Sequence, residues 1–246
     1  MFDLIRISRK LTVLSAAAVI AGSFLATAPV AVAEEQSVMA EGARMYDKWY
    51  AVIKAEKPKK SHPAYPSDKK YAKKPAANWR CKECHGWDGM GKDGAYAKGK
   101  HFSGIIGING MKGADPAKIV AELKNDTHQY ADKMNAGQLE KLAVFVSRGQ
   151  VDYSRYIDSA SKKMKGGNAA MGAAYFNTIC ANCHGTDGTL PKDMGKTLAK
   201  QMGNPWEVMH KILNGQPGES MPALRALDRQ IVVDIMAHLS TLPMDK

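Results

Sequence analysis

Cys81-Lys82-Glu83-Cys84-His85-Gly86-Trp87-Asp88-Gly89 and Cys180-Ala181-Asn182-Cys183-His184-Gly185-Thr186-Asp187-Gly188 are two copies of one pattern, C-x-x-C-H-G-x-D-G. Together they hold all four cysteines of the 246-residue chain. On a helical turn, residues three apart share a face, so both thiols of a pair can reach the two vinyl groups of one porphyrin. The histidine that follows then points its imidazole at the iron. The pattern is therefore read as covalent attachment of c-type haem. Cys81 and Cys84 hold one group and Cys180 and Cys183 a second, with His85 and His184 as proximal iron ligands. Gly86 and Gly185 follow where a side chain would crowd the macrocycle. Other uses of paired cysteines fit less well. A zinc ribbon separates its pairs by roughly 15–20 residues, whereas 95 lie between Cys84 and Cys180. A thioredoxin-like site needs a βαβ context, and no long strand-like alternation is present. Two disulfides would not place a histidine after each pair.

The two motifs sit in a repeated unit. Gly42-Ala43-Arg44-Met45-Tyr46 matches Gly172-Ala173-Ala174-Tyr175-Phe176, ahead of each cysteine pair. A short helix after Pro116 matches one after Pro205, and Asn125 and Asn214 follow each at the same offset. The final helices align without a gap: Leu139, Leu142 and Val146 make one apolar stripe, and Val232, Ile235 and Leu239 the other. Asn135 and Asp228 are their expected N-caps. The fold expected is all-α, with two tandem helical domains, each packed around its own covalently bound haem.

With these residues in view, the chain resembles tandem dihaem members of the class I cytochrome c family over nearly all of residues 35–246. The resemblance implies that the first and last helices of a domain cross beside the haem, with Gly172 and Phe176 near Ile235 and Leu239. It also implies a distal ligand. Met221-Pro222, 37 residues after His184, resembles the family's distal methionine loop, and a thioether favours ferrous iron. The first unit has no Met-Pro. In the ungapped alignment of the last helices, Met221 falls on His128, which predicts bis-His ligation by His85 and His128. Met134 is the main rival and Met111 the third choice. His101 and His62 are read as surface or propionate-contacting histidines.

Residues 51–80 form an insertion in the first unit, with eight Lys, one Arg and four Pro against two acids. They suit a solvated loop covering a haem edge, or a docking surface for an acidic redox partner. Trp49, Tyr65, Tyr71 and Trp79 are the expected anchors of this segment. Residues 150–166 read as an interdomain linker, which divides the chain into a first domain over 34–149 and a second over 167–246.

Residues 1–33 read as a secretory signal: Arg6, Arg9 and Lys10, an apolar run from Leu11 to Leu25, and Ala31-Val32-Ala33 as the cleavage pattern. The expected compartment is the periplasm. The chain carries a net charge of +11, and residues 34–246 carry +9. No RRM, zinc-finger or helix-turn-helix pattern supports nucleic acid as the acidic partner. At 45% hydrophobic and 24% charged, the chain is neither disordered nor a multi-span membrane protein. The function expected is electron transfer between redox proteins by two haem c groups, without an enzymatic activity of its own. The partner classes are a membrane-bound quinol-oxidising complex, a terminal oxidase or a periplasmic dehydrogenase. The alternative is a sulfur-compound dehydrogenase or a dihaem peroxidase-like enzyme, or a subunit of one.

Overall fold

The computed structural model describes residues 27–245. The leader read over residues 1–33 lies outside them except for its last residues, which begin the first helix. The chain divides into residues 1–35 and a compact unit of residues 36–246 that contains both C-x-x-C-H segments. Among the described residues all regular structure is helical, and only isolated bridges join Gly91 to Ile106 and Ile157 to Met164. No helix among them is long and apolar enough to cross a membrane.

The helices fall into two successions of similar order. The first comprises α1 (Thr27–Val52), α2 (Pro75–Asn78), α3 (Cys81–His85), α4 (Pro116–Lys124) and α5 (Ala136–Val144). The second comprises α6 (Ala169–Ile179), α7 (Ala181–His184), α8 (Leu198–Gln201), α9 (Pro205–Asn214) and α10 (Arg229–Leu239). Local chemistry starts the longer ones. Pro116 and Pro205 stand in the first turns of α4 and α9, where a missing N–H costs nothing. Asn135 accepts from the Gln138 amide at 2.9 Å in a capping box, and Asp228 accepts from the Gln230 amide at 2.8 Å. Such caps contribute about 1 kcal/mol each.

Two helix crossings organise the packing. A Cβ on Gly42 of α1 would lie 2.1 Å from the Lys141 carbonyl oxygen of α5. One on Gly172 of α6 would lie 1.9 Å from the Asp234 carbonyl oxygen of α10. Only glycine lets the backbones approach so closely. Around the first crossing, Ala43, Tyr46, Leu139, Leu142 and Val146 form one core; around the second, Phe176, Val232, Ile235 and Leu239 form another. The stretch 150–166, read as a linker, buries Tyr153 and Ile157 in the second core, together with Trp87 and Tyr96 from the loop after α3. The inserted segment is pinned by its aromatics. The Trp49 indole donates to the Trp79 carbonyl at 2.9 Å, and the Tyr50 hydroxyl to the Ala76 carbonyl at 2.6 Å. Tyr65 and Trp79 are buried, while Tyr71 is half-buried against His101.

Candidate functional site

Each C-x-x-C-H segment is a single helical turn, α3 or α7, closed by a glycine with positive φ: 78° at Gly86 and 71° at Gly185. The structure adds a second reason for these glycines. Their backbone conformation is one that a residue with a Cβ adopts only under strain. The turn after α3 is fixed further by Tyr46 of α1, whose hydroxyl donates to the Gly86 carbonyl at 2.6 Å. None of the four cysteines is joined in a disulfide. Burial pushes the Cys81 and Cys84 thiols up to about 12 and the Cys180 thiol up to about 11.

His85 and His128 face each other, with ring centroids 6.3 Å apart and planes 30° from parallel. Two metal–imidazole bonds of about 2 Å, plus about 1 Å from each nitrogen to its ring centre, put the rings of a bis-imidazole site about 6 Å apart. Each ring is held through the other nitrogen. Nδ1 of His85 donates to the Ile106 carbonyl at 2.7 Å, and Nδ1 of His128 to the Asn125 Oδ1 at 3.2 Å. That pattern leaves Nε2 as the lone-pair donor on both. Burial holds His85 down to about 4, which keeps it in the neutral, ligating form. Met134 is buried in the surrounding core, and Met111 packs at its margin.

Two histidines have partners that the sequence does not reveal. His62 packs against Trp79 with ring centroids 4.2 Å apart, and its Nε2 donates to the His128 carbonyl at 3.0 Å, so it props the segment that presents His128. His101 lies between Tyr71 and Tyr96, at 4.9 and 4.6 Å, and contacts Glu83 at 2.8 Å.

The second site is a cavity of about 820 Å³ whose lining brings Cys180, Cys183, His184 and Met221 together. Nδ1 of His184 donates to the Leu190 carbonyl at 3.1 Å, as His85 does to Ile106. Phe176, Val208, Ile212, Leu224, Ile235 and Leu239 make apolar walls, while Lys48, Arg80 and Lys211 stand among the lining. Asp193, Glu207 and Glu219 share the lining with these cations, and the apolar walls suit a flat, largely apolar group.

Residues 167–239 match the family model described as cytochrome C oxidase, cbb3-type, subunit III. This segment is a cytochrome c domain. Its match runs from just before α6 to the end of α10 and so contains both cysteines of the cavity and all of its lining except Lys48 and Arg80. A cytochrome c domain implies covalently bound haem c, electron transfer and redox-protein partners. No match was found among curated proteins, nor among solved structures.

The cytochrome c domain is locked to α1 by a buried polar cluster. Asp47 is fully buried and pairs with Arg80 and, at 2.8 Å, with Lys211 of α9. Burial alone would raise its carboxyl, but the two cations hold it well below the usual range. Arg44 donates to the Asn214 carbonyl at 2.8 Å, and Nε2 of His210 donates to the Ala43 carbonyl at 3.0 Å. Burial lowers His210 to about 4. Its folded value lies below the unfolded one of about 6.5. Its stabilising effect is therefore complete above that value and is lost as pH falls toward 4. Between pH 7 and pH 5 the wild type should lose about 2 kcal/mol more stability than His210→Gln, whose amide keeps a donor but does not titrate. Urea unfolding of both proteins at the two pH values measures this, and equal losses would refute it.

Proposed function

We propose that the protein is a periplasmic dihaem c-type cytochrome that passes single electrons between redox partners. When bound, haem c supplies a one-electron carrier at each site. Cys81 and Cys84 would hold the first group, with His85 and His128 as iron ligands. Cys180, Cys183, His184 and Met221 would hold the second. The observation that carries this reading is the 6.3 Å separation of the His85 and His128 ring centroids, the spacing that one metal between two imidazoles requires. An iron with protein ligands on both faces keeps no open position for small-molecule chemistry and is suited to electron transfer alone. The paired crossings at Gly42 and Gly172 support two units of one architecture.

Ligand chemistry gives a direction. The Met221 thioether is soft and stabilises ferrous iron, whereas two imidazoles do not, so the second site takes the higher potential. Electrons would arrive on the His85 side and leave on the His184 side. The leader pattern over residues 1–33 supports export, and the cysteine pairs suit an oxidising compartment in which thiols need another use.

Mass and redox measurements on the mature wild type test the proposal. Cleavage near Ala33 and two covalent haem additions are expected. Potentiometry should then resolve two one-electron steps, both from low-spin ferric species in low-temperature EPR. Carbon monoxide should not alter the reduced spectrum rapidly. A single haem addition, or fast carbon monoxide binding, would overturn it.

A further inference from the structure

Beside the second cavity lies a groove of about 380 Å³ whose lining contains four cations, Lys48, Lys57, Lys74 and Arg80, and no carboxylate. Lys48 and Arg80 line the larger cavity too, alongside Cys180, Cys183, His184 and Met221. The groove therefore leads to the second site, although Lys57 and Lys74 belong to the segment inserted in the first repeat. Its floor is fixed. The Tyr50 hydroxyl ties α1 to α2 through the Ala76 carbonyl at 2.6 Å, and Nε of Arg80 donates to the Asp47 carbonyl at 2.6 Å. α1 is kinked at Lys48 itself. Burial and the neighbouring Arg80 charge both hold the Lys48 ammonium below its ordinary value. Crowding like charges around an open groove is unfavourable unless an anion comes to meet them.

We infer that this groove receives the carboxylates of an acidic redox partner, so that the insertion of the first repeat docks the partner at the second site. The inference rests on the reading that Cys180, Cys183, His184 and Met221 hold a haem. Two features favour a protein surface over a small oxyanion. The Arg80 guanidinium, the group best shaped to grip an oxyanion, is already engaged by Asp47. Lys57 and Lys74 are exposed, and long flexible lysines spread around an open groove suit several carboxylates on a facing surface.

Poly-L-glutamate serves as the probe. A fluorescein-labelled sample should bind the full-length protein by anisotropy at low ionic strength and be released as salt rises. Lys57→Glu/Lys74→Glu should weaken binding at least tenfold. Lys162→Glu/Lys163→Glu makes the same charge change at exposed positions outside the groove lining and should leave binding within about twofold. In stopped flow, unlabelled poly-L-glutamate should slow oxidation of the reduced wild type by hexacyanoferrate(III) severalfold. It should not slow Lys57→Glu/Lys74→Glu, and both midpoint potentials should be the same in the two proteins. Equal loss of binding in both double variants would reduce the effect to net charge and overturn the inference. Competition by inorganic sulfate at matched charge would make the groove a small-oxyanion site and overturn it as well. Binding that leaves oxidation unchanged would separate the groove from the redox edge, and the inference would fall with it. Absence of haem on Cys180 and Cys183, read by mass, would instead overturn the reading beneath it, and the anisotropy arm would still report on the groove.

Discussion

His128→Met is expected to raise one of the two midpoint potentials by on the order of 0.1 V and leave the other nearly unchanged. Axial ligands command about 0.8 V of haem potential, so exchanging one imidazole for a thioether should produce a shift well outside titration error. The structure gives the substitution a specific setting. His128 faces His85 at 6.3 Å, its Nδ1 is engaged by Asn125, and His62 holds its carbonyl. A methionine placed there keeps the backbone contact to His62 but presents sulfur where nitrogen stood. Met221→His makes the converse change and should lower the other potential. If His128→Ala leaves the first site low-spin at an unaltered potential, the distal ligand is another residue, and Met134 and then Met111 become the ones to replace.

Much of the architecture is legible in the sequence because it follows from residue spacing. The ungapped alignment of the last helices pairs Lys141 with Asp234, and these are the carbonyls against which Gly42 and Gly172 pack. The same alignment singles out His128, and the structure brings that ring within 6.3 Å of His85, centroid to centroid. Asn135 and Asp228 are readable as caps because a short polar side chain before an apolar periodic run has few other local uses.

What stays hidden involves partners without a sequence signature. His62 and His210 bond to backbone carbonyls 66 and 167 residues away, and any residue can offer a carbonyl. Asp47 looks like one more helix-surface carboxylate until folding brings Arg80 and Lys211 to it. The segment 150–166 reads as polar linker, yet Tyr153 and Ile157 are buried. The motif marks Gly86 and Gly185 as required residues, and the structure adds a requirement from φ, which sequence does not display. The basic groove is also a product of folding, since Lys48, Lys57, Lys74 and Arg80 are spread over 33 positions.

Gly172→Ala is expected to cost at least about 3 kcal/mol, the upper part of the range for overpacked cores. The new methyl would stand 1.9 Å from the Asp234 carbonyl oxygen and 2.4 Å from its carbon. Both are backbone atoms of α10, so no side-chain rotation relieves the overlap, and the two helices must part by about 1 Å or more. Phe176, Ile179 and Cys180 in and just after α6, and Ile235 and Leu239 on α10, all line the second cavity. Separation there should disturb the spectrum and potential of the His184 site before those of the His85 site. Gly42→Ala places its methyl 2.1 Å from the Lys141 carbonyl oxygen and should reverse that order, disturbing the His85 site first. Denaturant unfolding followed by circular dichroism, with the two haem signals resolved by redox state, measures both effects. A loss below about 1 kcal/mol in either variant would mean that the helices have room to spare, and the close crossing would then not be what positions the site.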